Sequence, residues 1–147
     1  MSKIELEKHY LDTTYSIFIN EEQYDIKIAK TLPSAIRKLL NSEKSAAILT
    51  AWNPRSQFLS SKENKARNNE LNSALNQYTV FRALGQGSDL SDTSWPAEES
   101  YFIPGIKQEE ANKLAVEYGQ YAYVWLESEK PASLIFTQLW RSLNDDS

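Results

Sequence analysis

The sequence predicts an α/β protein, with α+β as the variant reading: one domain on a mixed sheet of about six or seven strands with about three helices. Three observations carry this. The 147 residues are enough for one domain to bury a core without metal or disulfide staples. Short runs rich in β-branched and aromatic residues alternate with stretches whose apolar residues recur every three or four positions. No linker, repeat or low-complexity segment interrupts that alternation, so residues 1–147 read as one globular unit with short flexible termini at about 1–9 and 141–147.

TTYSIFIN (13–20) and YDIKIAK (24–30), joined by a short polar connection, predict an opening hairpin. Thr31 as a cap, Pro33 in the first turn and Ile36, Leu39 and Leu40 at helical spacing predict a short helix closed by Asn41 and Ser42. SAAILTAW (45–52) is almost continuously apolar, as a strand covered on both faces would be, and Asn53-Pro54 stops it. Residues 60–77 predict the longest helix, capped by Ser60 or Ser61, with Leu71, Ala74 and Leu75 on its core side. YTVFRAL (78–84) predicts a strand running into a loop at GQGSDLSDTSWPA, in which the GQG of 85–87 reads as a turn. ESYFIPG follows as a strand, 107–119 as a helix closed by a glycine, and AYVWLE (122–127) and SLIFTQLW (133–140) as final strands. The predicted order is ββαβαββαββ.

A net charge of −4 does not supply the clustered Lys/Arg excess that phosphate neutralisation needs, so no nucleic-acid partner is expected. The absence of cysteine excludes disulfides, thiolate chemistry and cysteine-based metal sites. His9 is the single histidine, and with no cysteine and no second histidine in the sequence it is a poor metal ligand or triad member, so no cofactor or metal is expected. The charged N-terminus lacks a signal-peptide core and no apolar run is long enough to span a bilayer, so a cytoplasmic chain without membrane contact is the simplest reading.

Several motifs occur in one order: Thr50, Asn53, Pro54 and Ser56; Leu59, Ser60, Glu63, Asn64, Arg67 and Asn68; Trp95, Glu98 and Ser100; then Gly119, Gln120 and Ala122. In these the chain resembles the bacterial family called domain of unknown function 3293, over most of its length from the first strand to the last. The resemblance implies no function, because the family has none assigned. Tyr121 after Gln120, where the family pattern often has Asn, and the lengthening SDLSDTS before Trp95 are departures from that pattern.

In an open α/β sheet, ligands bind beyond the carboxyl ends of parallel strands. That places Asn53, Ser56 and Ser60 after a central strand, beside a helix N-terminus, with Asn64, Arg67 and Asn68 sharing one helix face. Such a cluster, with Glu98 and Gln120 nearby, suits a small anionic or polar ligand. The first reading is therefore a binding module using Asn53, Ser56, Ser60, Asn64, Arg67, Glu98 and Gln120. The second is an enzyme in which Glu98, desolvated at the start of a buried strand, acts as general acid or base and Arg67 stabilises charge. The third is a structural or interaction domain, in which Asn53 and Ser56 form turns, Ser60 caps, Arg67 pairs with Glu63, Glu70 or Glu98, and the cluster only holds the fold. Trp52, Trp95 and Trp125 can stack a ring but serve more often as core, and Asp89 with Asp92 is a sparse set for a cation.

Overall fold

The computed structural model describes residues 2–87 and 96–143, so Asp89, Asp92 and Trp95 lie outside the described residues. The chain runs through α1 (Lys3–Asp12), β1 (Thr13–Ile19), β2 (Glu22–Ile26), α2 (Ser34–Glu43) and β3 (Ser45–Leu49). A 3₁₀ turn at Pro54–Ser56 leads to α3 (Ser61–Ala74), β4 (Phe81–Gly87) and β5 (Glu98–Pro104). It ends with α4 (Gln108–Glu117), β6 (Ala122–Glu127), β7 (Ser133–Phe136) and the single-turn α5 (Gln138–Arg141).

The seven strands form one sheet in the order β2-β1-β4-β5-β3-β6-β7. Every pairing between these strands is antiparallel, which realises the α+β variant and removes the parallel-strand argument for where a ligand binds. The sheet curls until its two edges meet. Ile28, just beyond β2, forms a parallel bridge with Ala132, just before β7, and Ala29 N–H donates to the Ala132 carbonyl at 2.8 Å.

The alternation of each strand divides the side chains between a concave and a convex face. The concave face carries Ile17, Ala46, Ile48, Ala83, Phe102, Val124 and Leu126, and Leu32, Ile36 and Leu40 of the α2 region pack against them. On the convex face, Ala47, Leu49, Ile103, Tyr123 and Trp125 meet Leu71 and Leu75 of the α3 region and Ala111, Leu114 and Ala115 of α4. Continuous apolar sequence in β3 and β6 follows from this two-sided cover. Trp52 and Trp125 are both buried.

Four expectations change. The segment expected as a flexible N-terminus holds helix α1, capped by Ser2, whose hydroxyl accepts from Glu5 N–H. Leu6 of α1 packs in a third cluster with Tyr121 and Trp140. GQG is not a turn but the end of β4, with Gly85 opposite Tyr15 and Gly87 opposite Thr13 on β1. The strand expected over 78–84 begins only at Phe81, because Tyr78 N–H closes a turn onto Leu75 O. The last strand stops at Phe136, where Thr137 turns its hydroxyl to the Gln120 carbonyl at 2.7 Å and α5 begins.

Candidate functional site

At one end of the concave face the inward residues become polar. β1 contributes Thr13 and Tyr15 below Ile17; β5 contributes Glu98 and Ser100 before Phe102; β4 ends on Gly85 and Gly87 after Ala83. These side chains, with Thr50, Asn53, Ser56 and Gln120 and with His9 and Tyr10 of α1, line a cavity of about 60 Å³. This is room for a few waters, or for one small functional group of a ligand. The two glycines help make the space: the ring of Tyr15 lies 3.5 Å from where a Gly85 Cβ would stand.

Glu98 is the chemically distinctive member. It is half-buried, and dense protein around its carboxyl pushes its pKa from the ordinary 4.5 up to about 7, against the lowering effect of Asn53. That hydrogen bond, Asn53 Nδ2 to Glu98 Oε1, is long at 3.4 Å. No ion pair joins Glu98 to a cation among the described residues. Burial also raises the phenols of Tyr10 and Tyr15, with further contributions from the negative charge of Glu98; a hydrogen bond from Ser56 acts the other way on Tyr10.

The segment over the cavity is held in an unusual backbone. Asn53, Arg55 and Ser56 have φ of 46°, 53° and 57°, a left-handed region that costs a non-glycine residue about 1–2 kcal/mol. The helix α3 face fixes it there. Asn64, 1% exposed, accepts from Asn53 N–H at 2.8 Å and donates to Asn53 Oδ1 at 2.8 Å. Asn68 accepts from Ala51 N–H at 2.8 Å and donates to the Glu99 carbonyl at 2.9 Å. Arg67 donates through Nε to the Ala51 carbonyl at 2.9 Å and through a terminal nitrogen to the Tyr118 carbonyl at 2.7 Å.

The candidates thus separate into two groups. Asn53, Ser56, Glu98 and Gln120 line the cavity; Ser60, Asn64 and Arg67 do not. Ser60 is exposed and forms a capping box with Glu63. Ser60→Ala is expected to cost about 1 kcal/mol in urea unfolding and to leave the cavity unchanged; a loss of several kcal/mol would contradict a purely local capping role. Arg67 pairs with neither Glu98 nor Glu63 nor Glu70 among the described residues; its guanidinium serves backbone carbonyls instead.

The family model described as a protein of unknown function (DUF3293) matches residues 49–123, just over half of the chain. The chain belongs to the DUF3293 family. No curated protein and no solved structure matches it. The DUF3293 segment runs from the last residue of β3 to Tyr123 of β6 and contains the whole α3 network together with Asn53, Ser56, Glu98 and Gln120. His9, Tyr10, Thr13 and Tyr15 lie outside the matched span, so the cavity combines the DUF3293 segment with the first helix and strand. Tyr121 packs edge-on against Trp140 at 6.3 Å rather than in the cavity lining.

Sequence reasoning missed Tyr10, Tyr15 and the two glycines and set His9 aside. A usable signal was present: Thr13-x-Tyr15, Gly85-x-Gly87 and Glu98-x-Ser100 are polar or small pairs at strand period, each in line with an apolar inward residue.

Proposed function

We propose that this chain is a binding domain for a small polar molecule, whose recognition group enters the cavity among Glu98, Tyr10, Tyr15, Ser56 and Gln120. The observation that carries the reading is an acidic side chain inside a polar cavity that has, among the described residues, one long hydrogen bond and no ionic partner. A carboxyl used only to hold a fold is normally paired or fully hydrogen-bonded. Arg67 donates to carbonyls away from the cavity, so the geometry favours a polar ligand over an anionic one. A catalytic use of Glu98 has one observation in its favour, the shift of its carboxyl to about 7, within the range suited to proton transfer near neutral pH.

The test is thermal unfolding of wild type and Gly85→Leu with small polyols, amides, amines, carboxylates and phosphate. A Cβ at residue 85 meets Thr13 and Tyr15 at 3.5 Å, an ordinary contact, and the longer side chain would take up volume at the cavity. The expected result is a ligand-dependent rise in Tm for wild type, about 2.7 kcal/mol of added stability at a hundredfold excess over Kd, that Gly85→Leu lacks. An equal response in both proteins would move the site elsewhere.

A further inference from the structure

The hydrogen-bonding direction of the cavity lining narrows the class of ligand. Thr13 donates its hydroxyl proton to the His9 carbonyl at 2.7 Å, and Ser100 donates its own to the Glu98 carbonyl at 3.3 Å. Gln120 directs its amide nitrogen to the Trp52 and Tyr118 carbonyls, at 3.1 and 3.3 Å, which leaves its side-chain oxygen as the free function. Asn53 donates to Glu98 and its oxygen is already taken by Leu59 N–H and Asn64 Nδ2. What these groups still offer is acceptor lone pairs: two hydroxyl oxygens, one amide oxygen and the carboxyl of Glu98. No Lys or Arg lines the cavity among the described residues, and residues 88–95 and 144–147 contain neither.

We propose that the cavity takes the protonated amino group of a small primary amine, with Glu98 as its counter-ion and the oxygens of Ser100, Thr13 and Gln120 as acceptors. This rests on the reading of the cavity as a ligand site. An ammonium group brings three N–H donors and a positive charge to a set of acceptors around one carboxylate, and its size suits a space of about 60 Å³. Tyr10 and Tyr15 add phenol O–H donors to the lining, but acetate or phosphate would face Glu98 with like charge.

Binding carries a proton balance. Below neutral pH the Glu98 carboxyl is protonated, and an arriving ammonium releases that proton to solvent as the carboxylate forms. The other titratable groups facing the cavity are His9 and Tyr10 from α1 and Tyr15 from β1; Tyr123 of β6 borders it but turns its ring to the convex face, and Asp12 stands 3.7 Å from the Cβ position of Gly87 at its edge. β4 and β7 present only Gly85, Gly87 and Leu134.

The experiment is an amide-resolved NMR titration of the full chain with ethylammonium, and with ethanol, acetamide and acetate as size-matched neutral and anionic probes. It is paired with calorimetry in buffers of different ionisation enthalpy. Ethylammonium is expected to shift the amides of Glu98, Ser100 and Gln120, to release a proton at pH 6, and to bind about tenfold more tightly at pH 8 than at pH 6. Glu98→Gln is expected to abolish both the proton release and the pH dependence. Should that variant fail to fold, the wild-type buffer series alone decides. Binding of ethanol, acetamide or acetate without ethylammonium would overturn the amine assignment and leave the cavity as a ligand site. Silence of all four probes at these amides would overturn both.

Discussion

Gly119→Ala is expected to lower the unfolding free energy by about 3 kcal/mol, seen as a fall in the urea midpoint at unchanged slope. Two costs combine. Gly119 has φ of +75°, which an L side chain adopts at about 1–2 kcal/mol. An added Cβ would also stand 2.8 Å from Pro54 Cβ and 3.4 Å from Pro54 Cα, so backbone must shift, at the typical 1–3 kcal/mol of overpacking. The contact is close because Arg55 N–H donates to the Gly119 carbonyl at 2.7 Å, tying the turn after α4 to the strained segment over the cavity. The same variant should therefore weaken any ligand bound beside Asn53 and Ser56. A cost under 1 kcal/mol would mean that Pro54 yields freely and that the segment is not held as described.

The second large effect is on pH dependence, and it runs opposite to that of an ion-paired carboxylate. Glu98 is raised from 4.5 to about 7 in the folded protein, so between these values the folded state holds a proton that the unfolded chain has lost. Its contribution to stability is fully present below about pH 4.5 and is lost as pH rises through 7. The shift corresponds to about 3 kcal/mol as a maximum, since the residue is only half-buried. Glu98→Gln, uncharged at every pH, is expected to be more stable than wild type at pH 8 by about 2–3 kcal/mol and to match it near pH 4.5. A parallel pH profile in the two proteins would show that the carboxyl is ordinary. A residue that destabilises its own fold at working pH fits a binding role better than a structural one.

Much of the architecture was legible in the sequence because it follows from local pattern. Continuous apolar runs marked the strands covered on both faces, and Ser60 with Glu63 marked the start of α3. The direction of strand pairing was not legible, since an apolar run reads alike in parallel and antiparallel sheets. GQG was misread because glycine pairs signal turns on local grounds, whereas Gly85 here yields space to the cross-strand ring of Tyr15, a reason that exists only once β1 and β4 are neighbours. The polar helix face was correctly grouped as Asn64, Arg67 and Asn68, but spacing cannot say whether such a face meets a ligand or backbone carbonyls. In the structure the side-chain donors of α3 serve Ala51, Asn53, Leu59, Glu99 and Tyr118, and Glu98, the acidic group whose environment sequence could not supply, lines the cavity.

The meeting of the sheet edges at Ile28 and Ala132 has a kinetic meaning. The cavity walls come from His9 near one terminus and Leu134 near the other, so they exist only after the most sequence-distant parts of the chain have found each other. Loop-closure entropy opposes such pairings until late in folding. Ligand occupancy should consequently read out completion of the whole domain. Partial openings that release α1 or β7 should abolish binding while leaving the β3–β5–β6 centre protected against hydrogen exchange.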